Sequence, residues 1–151
     1  MNEWVETYRG MVEPEDCDFN HHMNVKSYYA LFYNAAGYLM SLAGVYHGHV
    51  LEQGVAIATV SNLIRYYDEA KHGDRFVIKG AILTLGRTSI RYGLKMILAR
   101  TEKTCATAEF SDVLFNATTR KSTPWTPAMR TSVDPFLVQL NDDDRVLFPA
   151  P

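Results

Sequence analysis

The stretch Asn24–Gly44, NVKSYYALFYNAAGYLMSLAG, decides how the rest of the chain must fold. Its apolar residues fall at Tyr28, Leu31, Phe32, Ala35, Ala36, Leu39, Leu42 and Ala43, steps of three and four that trace one stripe down a helix. Asn24 can cap the start with its side-chain oxygen, and Gly44 and Gly48 are stop signals. A helix over about Asn24–Val45 is expected. Asn34, Gly37 and Ser41 interrupt its apolar run, so it reads as a core helix and not a membrane span.

Beyond the helix the apolar period changes from about 3.6 residues to two. Val55–Tyr67, Arg75–Leu85, Thr88–Leu98 and Thr104–Thr118 are long runs rich in β-branched and aromatic residues, as strands are. The breaks between them, DEAKHGD, Gly86-Arg87 and RTEK, have hairpin length, which predicts antiparallel neighbours. Leu85-Gly86-Arg87-Thr88 reads as a two-residue turn. Ahead of the helix, WVETYRGMVE (4–13) suggests a first strand ending at Pro14. The tail from Ser122 carries Pro124, Pro127 and Pro135, so a short helix or two is expected there, with a loose end at NDDDR (141–145).

One helix among five strands must bury its stripe on the sheet. The expected fold is therefore α+β: a curved antiparallel sheet of about five strands wrapping a long central helix. Residues 1–151 form a single domain, with the core over roughly 6–120 and a C-terminal extension over 121–151. A long edge strand invites pairing with another chain, and joining two sheets edge to edge in a dimer removes that hazard.

Composition narrows the partners. The 151 residues are 47% hydrophobic and 21% charged, an ordinary balance for a soluble globular domain. A net charge of -2 argues against a nucleic-acid binder, which needs a concentrated positive field. Cys17 and Cys105 are too few for a disulfide framework and read as reduced thiols, so a cytoplasmic location is expected. The start, MNEWVETYRG, lacks the basic and apolar regions of a signal peptide. No membrane partner is expected.

The polar knot DCDFNHHMNV (16–25) stands directly before the helix. A carboxylate there sits beside unpaired backbone N–H groups at the positive end of the helix dipole. Such N–H groups can hold an oxyanion, and a carboxylate beside an oxyanion donor is a minimal acyl-transfer site. Asp16 and Asp18 suit that role; they equally suit loop capping. His21 and His22 are adjacent, so their side chains diverge. With no zinc pattern nearby, no metal site is expected. No G-x-S-x-G elbow points to a serine triad, and Cys17 reads as a structural thiol.

Asp16-Cys17-Asp18, His22-Met23-Asn24 and Tyr28-Tyr29 resemble the D-x-D-x-x-x-H-[MV]-N-x-x-x-Y motif of hotdog-fold acyl-CoA thioesterases in the 4-hydroxybenzoyl-CoA thioesterase group. The resemblance covers roughly residues 6–120. It implies that Asp18 is the catalytic acid, acting as nucleophile or general base on a thioester. It implies an oxyanion-holding N–H at or near Val25, a capping or orienting role for Asn24, and a site-shaping role for His22. Asn20 lies in the same loop and is shared by some relatives, which places it with the substrate. The family often has glycine before the motif histidine, where this chain has His21.

The substrate so implied is a small-molecule acyl-CoA, with no separate cofactor, and the assembly a homodimer or homotetramer. Coenzyme A needs cations and hydroxyl donors for its phosphates. Arg87, Thr88 and Ser89 combine both; Lys71 with His72 and Arg120 with Lys121 are further candidates. Ser61 and Asn62 are candidates to line the acyl pocket. The helix carries Tyr28, Tyr29, Phe32, Tyr33 and Tyr38, and rings lining that pocket would suit a small aryl group or, through cation–π attraction, a cationic one. The alternatives are a hotdog protein that binds acyl thioesters without turnover, and a hotdog dehydratase using His21 or His22.

Overall fold

The computed structural model describes residues 2–151, apart from the side chains of residues 47–49. The elements run β1 (Val5–Met11), α1 (Val25–Leu42), α2 (His47–Glu52), β2 (Val55–Tyr66), β3 (Arg75–Leu85), β4 (Ser89–Leu98), β5 (Thr104–Asn116), α3 (Pro127–Val133) and α4 (Asp142–Leu147). The long helix starts as its sequence requires: Asn24 Oδ1 accepts from the Ser27 N–H at 2.9 Å. It stops before Gly44, whose φ of +72° suits glycine. Gly48 falls inside α2 and stops nothing.

The five strands form one antiparallel sheet in the order β1-β3-β4-β5-β2. The β3–β4 and β4–β5 hairpins are as expected, but β2 and β3 are not neighbours. β2 lies on the far edge beside β5, and β1 takes the place beside β3. DEAKHGD therefore crosses the end of the sheet. Its backbone finds partners there without a hairpin: Tyr67 and Asp68 N–H donate to the Cys105 carbonyl, and Arg100 donates to the Glu69 carbonyl and the Asp74 carboxylate. Loop length alone could not separate the two topologies, because a helix wrapped on both flanks needs its neighbouring strands on opposite edges. The β3–β4 turn is also one residue later than expected. Gly86 N–H donates to Ser89 O at 2.9 Å, leaving Arg87-Thr88 as the two turn residues.

The concave face of the sheet holds the core. Tyr28, Phe32, Ala35, Ala36, Leu39 and Met40 of α1 are buried against Phe76, Ile78, Ile82, Leu94, Met96 and Leu114 of the strands. Leu42, expected in the stripe, is 46% exposed, and Met40 takes its place. Gly80 lets helix and sheet close up: a Cβ there would stand 2.8 Å from Leu94 and 3.2 Å from Leu39.

The convex face is partly covered by the C-terminal segment, and NDDDR is not loose. Asn141 caps α4 by accepting from Asp144 N–H at 2.8 Å. Asp144 is buried, takes Lys95 Nζ at 2.7 Å and accepts from Trp4 Nε1 at 2.9 Å. Phe148 stacks on Trp4 with centroids 5.3 Å apart and fills the space left by Gly93. Three consecutive acids read as solvated in sequence because Lys95, which fixes the segment, is far away along the chain.

Candidate active site

The knot folds back on itself. Asp18 N–H donates to His22 O at 2.9 Å, Asn24 N–H donates to Asp16 O at 2.8 Å, and Cys17 bridges Met23 between them. At the tip His21 has φ +62°, the left-handed region that glycine enters most easily. The position where relatives often carry glycine is thus one where the backbone asks for it, and this chain meets the demand with a histidine.

The two acids separate. Asp16 is structural: its Oδ2 accepts the Glu13 N–H at 3.0 Å and caps the short 3-10 turn Pro14–Asp16. Asp18 is exposed, and its Oδ1 accepts only the Asn20 N–H at 2.8 Å. No partner of its other oxygen stands among the described residues. Asn20 thereby orients the Asp18 carboxylate through its backbone.

The helix start supplies the second half of the site. The Ser27 and Tyr28 N–H groups are used by Asn24. Val25 and Lys26 N–H have no acceptor among the described residues, as the first turn of a helix dictates. Val25 itself is 66% exposed.

The crossing loop braces this arrangement. Met23 N–H donates to Ala70 O at 2.8 Å, and His22 Nε2 stands 3.1 Å from Glu69 Oε2. Ala70 N–H donates to Tyr28 Oη at 3.3 Å, and the Tyr28 ring meets Tyr66 edge-on at 5.1 Å. Burial, helped by nearby Cys105, pushes the Tyr28 hydroxyl up to about 12, so it stays a neutral hydrogen-bonding group. His22, Met23, Val25, Tyr28, Tyr66 and Glu69 line a small cavity of about 210 Å³.

The remaining candidates lie elsewhere. The Arg87-Thr88-Ser89 turn is at the opposite end of the sheet, since Ser89 pairs with Val113 while Ile97 and Thr104 close the end near the knot. Its backbone is tied to the C-terminal segment: Trp125 donates to the Arg87 and Ser89 carbonyls, and Arg130 to that of Gly86. Arg87 and Ser89 are exposed. Ser61 pairs with Ser111, and Phe110 and Asp112 on either side of Ser111 face the helix, so Ser61 faces away from it. Asn62, opposite Phe110, is the residue on the helix side. Lys71 lies 4.0 Å from Glu69, beside the knot. The Arg120 guanidinium lies over the Phe115 ring.

A larger cavity of about 370 Å³ opens between α1 and the sheet. Tyr29 and Tyr33 stack at 6.2 Å on the helix side, and Tyr92 and Phe110 at 5.4 Å on the sheet side. Tyr92 Oη donates to Asp112 Oδ2 at 2.9 Å, and Asp112 is 4% exposed. Burial, then the adjacent Asp112 charge, pushes the Tyr92 hydroxyl far above its ordinary value. Sequence reading passed over Asp112, though one signal was present. It is an acid between Phe110 and Leu114, where strand alternation calls for a core residue. Glu69 had no such signal.

Among the described residues, no three His, Cys, Asp or Glu side chains gather as a metal site, and no helix is long and apolar enough to cross a membrane.

The profile of the thioesterase-like superfamily matches residues 12–133, and the chain belongs to that superfamily. Its fold is the hotdog fold. A Staphylococcus aureus hypothetical protein solved in complex with CoA is 16% identical, with 98% of this chain and 96% of that one covered at a TM-score of 0.81. A 1,4-dihydroxy-2-naphthoyl-CoA thioesterase from Synechocystis is 18% identical over 84% of this chain and 93% of that one, at a TM-score of 0.73. The probable thioesterase YbaW from Escherichia coli is 16% identical over 87% of this chain and 98% of that one, also at 0.73. No curated protein matches the chain in sequence.

Proposed function

We propose that the protein is an acyl-CoA thioesterase that hydrolyses a thioester to a carboxylic acid and coenzyme A. One observation carries this reading: an exposed carboxylate, Asp18, stands in a backbone-locked loop that leads straight into α1, whose Val25 N–H has no acceptor among the described residues. Asp18 attacks the thioester carbonyl or takes a proton from the water that does. The Val25 N–H receives the charge that develops on the carbonyl oxygen. Asn24 keeps that N–H in place by capping the helix. His22, engaged with Glu69, positions the loop. The CoA complex of the Staphylococcus aureus neighbour supports a CoA-type ligand.

The working unit is a homodimer. β2 has only β5 beside it, so its outer edge is free. Val60 is 64% exposed and Leu63 48% on β2, and Tyr33 and Tyr38 of α1 are exposed as well. An exposed edge and apolar face of this kind call for a second copy. Two-fold pairing of β2 with β2 reverses strand direction. It brings the partner's Arg87-Thr88-Ser89 end toward this chain's knot end, so phosphate contacts across the interface are the natural place for that turn.

Thiol release with Ellman's reagent over short, long, aryl and cationic acyl-CoAs tests the reading, with Asp18→Asn run in parallel. Turnover that falls about a thousandfold in the variant supports it. No release from any member, or release indifferent to Asp18, overturns it in favour of thioester binding without turnover.

A further inference from the structure

A groove of about 690 Å³ lies on the convex face, larger than the cavity between α1 and the sheet and sharing no residue with it. Strand alternation puts it there. Phe76 and Ile78 enter the core, so Arg75, Val77 and Lys79 point the other way. Ile97 of β4 and Arg9 of β1 flank Val77, and Met11 pairs with Arg75, which brings these side chains to the same face. The C-terminal segment packs over Ala81, Gly93 and Lys95 next to it.

The floor is apolar, and the spare charge sits at one end. Val77 and Ile97 are half-buried, and Met11 is 45% exposed. Lys79 stands at the inner end, half-buried, with Glu6 across from it on β1 and Lys95 across from it on β4. Both neighbours are already engaged: Arg9 holds Glu6 at 2.6 Å, and Asp144 holds Lys95 at 2.7 Å. Each of those pairs cancels. Lys79 makes no ion pair among the described residues, so one positive charge is left over. At the outer end Arg75 shares the rim with Glu102, and cation and acid offset one another. Lys79 and Arg75 are four residues apart on one strand, roughly 13 Å.

The volume falls within the range of small-molecule sites, about 300–1,000 Å³. A half-buried ammonium above an apolar floor calls for a ligand with one negative charge and an apolar body. A phosphomonoester, with nearly two charges at neutral pH, would press the second against Glu6 and Asp144. A neutral or cationic amphiphile would leave Lys79 uncompensated.

We infer that this groove binds a monocarboxylate with an apolar body of roughly 10 Å, its carboxylate on Lys79 and its chain over Val77, Ile97 and Met11. The groove shares no residue with the Asp18 loop, so the inference holds whether or not the chain turns over a thioester. The test titrates octanoate, 1-octanol and octyltrimethylammonium into the whole protein, read by methyl NMR. Octanoate is expected to move the methyls of Met11, Val77 and Ile97 and to bind about tenfold more tightly than the alcohol, with the ammonium weakest. Lys79→Met keeps the aliphatic stem and is expected to erase the preference for acid over alcohol, whereas Lys79→Arg is expected to keep it. Binding that ignores charge, or a preference that survives Lys79→Met, overturns the inference. So does the absence of any shift. Movement confined to Met40 and Ile57 would put the acid in the cavity beside α1 and overturn it equally.

Discussion

The two faces of the sheet each bury an aspartate, to different ends. On the convex face Asp144 takes Lys95 at 2.7 Å, accepts from Trp4 at 2.9 Å, and sits under α4 with Phe148 packed beside it. Its charge holds the C-terminal segment down as a clasp. On the concave face Asp112 accepts from Tyr92 at the wall of a cavity lined with rings. Asp144 is enclosed by a cation and a donor, whereas Asp112 shares a hydrogen bond with Tyr92 and borders a cavity. The lesson is that burial alone does not tell structure from function, whereas what borders the buried group does.

The comparison predicts that the faces fail differently. The largest effect belongs to the reactive side: Asp18→Asn, exposed and bound only to Asn20 N–H, costs about a thousandfold in turnover and leaves the melting curve in place. A coupled loss of stability would show that Asp18 is a structural cap.

Next comes the clasp. Asp144→Ala strands Lys95 in a nearly closed site and costs about 3 kcal/mol in urea denaturation. Below its melting temperature that variant is expected to keep its kcat/KM, since the clasp lies on the other face. An unchanged denaturation midpoint would make the ion pair ornamental.

The third effect is a pH dependence. The fully buried Cys105 thiol is pushed up to about 12 by burial, from an ordinary 9.0. The folded state thus favours the protonated thiol. That stability is complete below about pH 9 and is lost as pH rises toward 12, at up to about 1.4 kcal/mol per unit. Denaturation midpoints between pH 8 and 11 check the slope. Ellman's reagent should meet the half-buried Cys17 first and Cys105 only on unfolding.

The smallest effect sharpens the link between fold and site. Asn24→Ala removes the helix cap and costs about 1 kcal/mol of stability. It should also lower kcat more than it raises KM, because the N–H it orients serves the transition state. A pure stability loss would confine Asn24 to capping.

The sequence by itself determined what local forces decide. The apolar period set α1 and the long strands to within three residues, and Asn24 marked the helix start. What it left open depends on contacts between distant residues. The place of β2 beside β5, the burial of Asp144 on Lys95, and the bracing of His22 by Glu69 all join segments far apart in the chain. The facing of Ser61 away from the helix follows from a register shift between Thr59 and Ser61, which no residue type announces. Asp112 lies between the two cases. Its misfit among apolar neighbours was written in the strand, but only the packing of α1 over β4 and β5 turned that misfit into a wall of a cavity. Periodicity and capping act over a few residues and can be read along the chain, whereas pairing order and enclosure are decided only when the whole chain closes on itself.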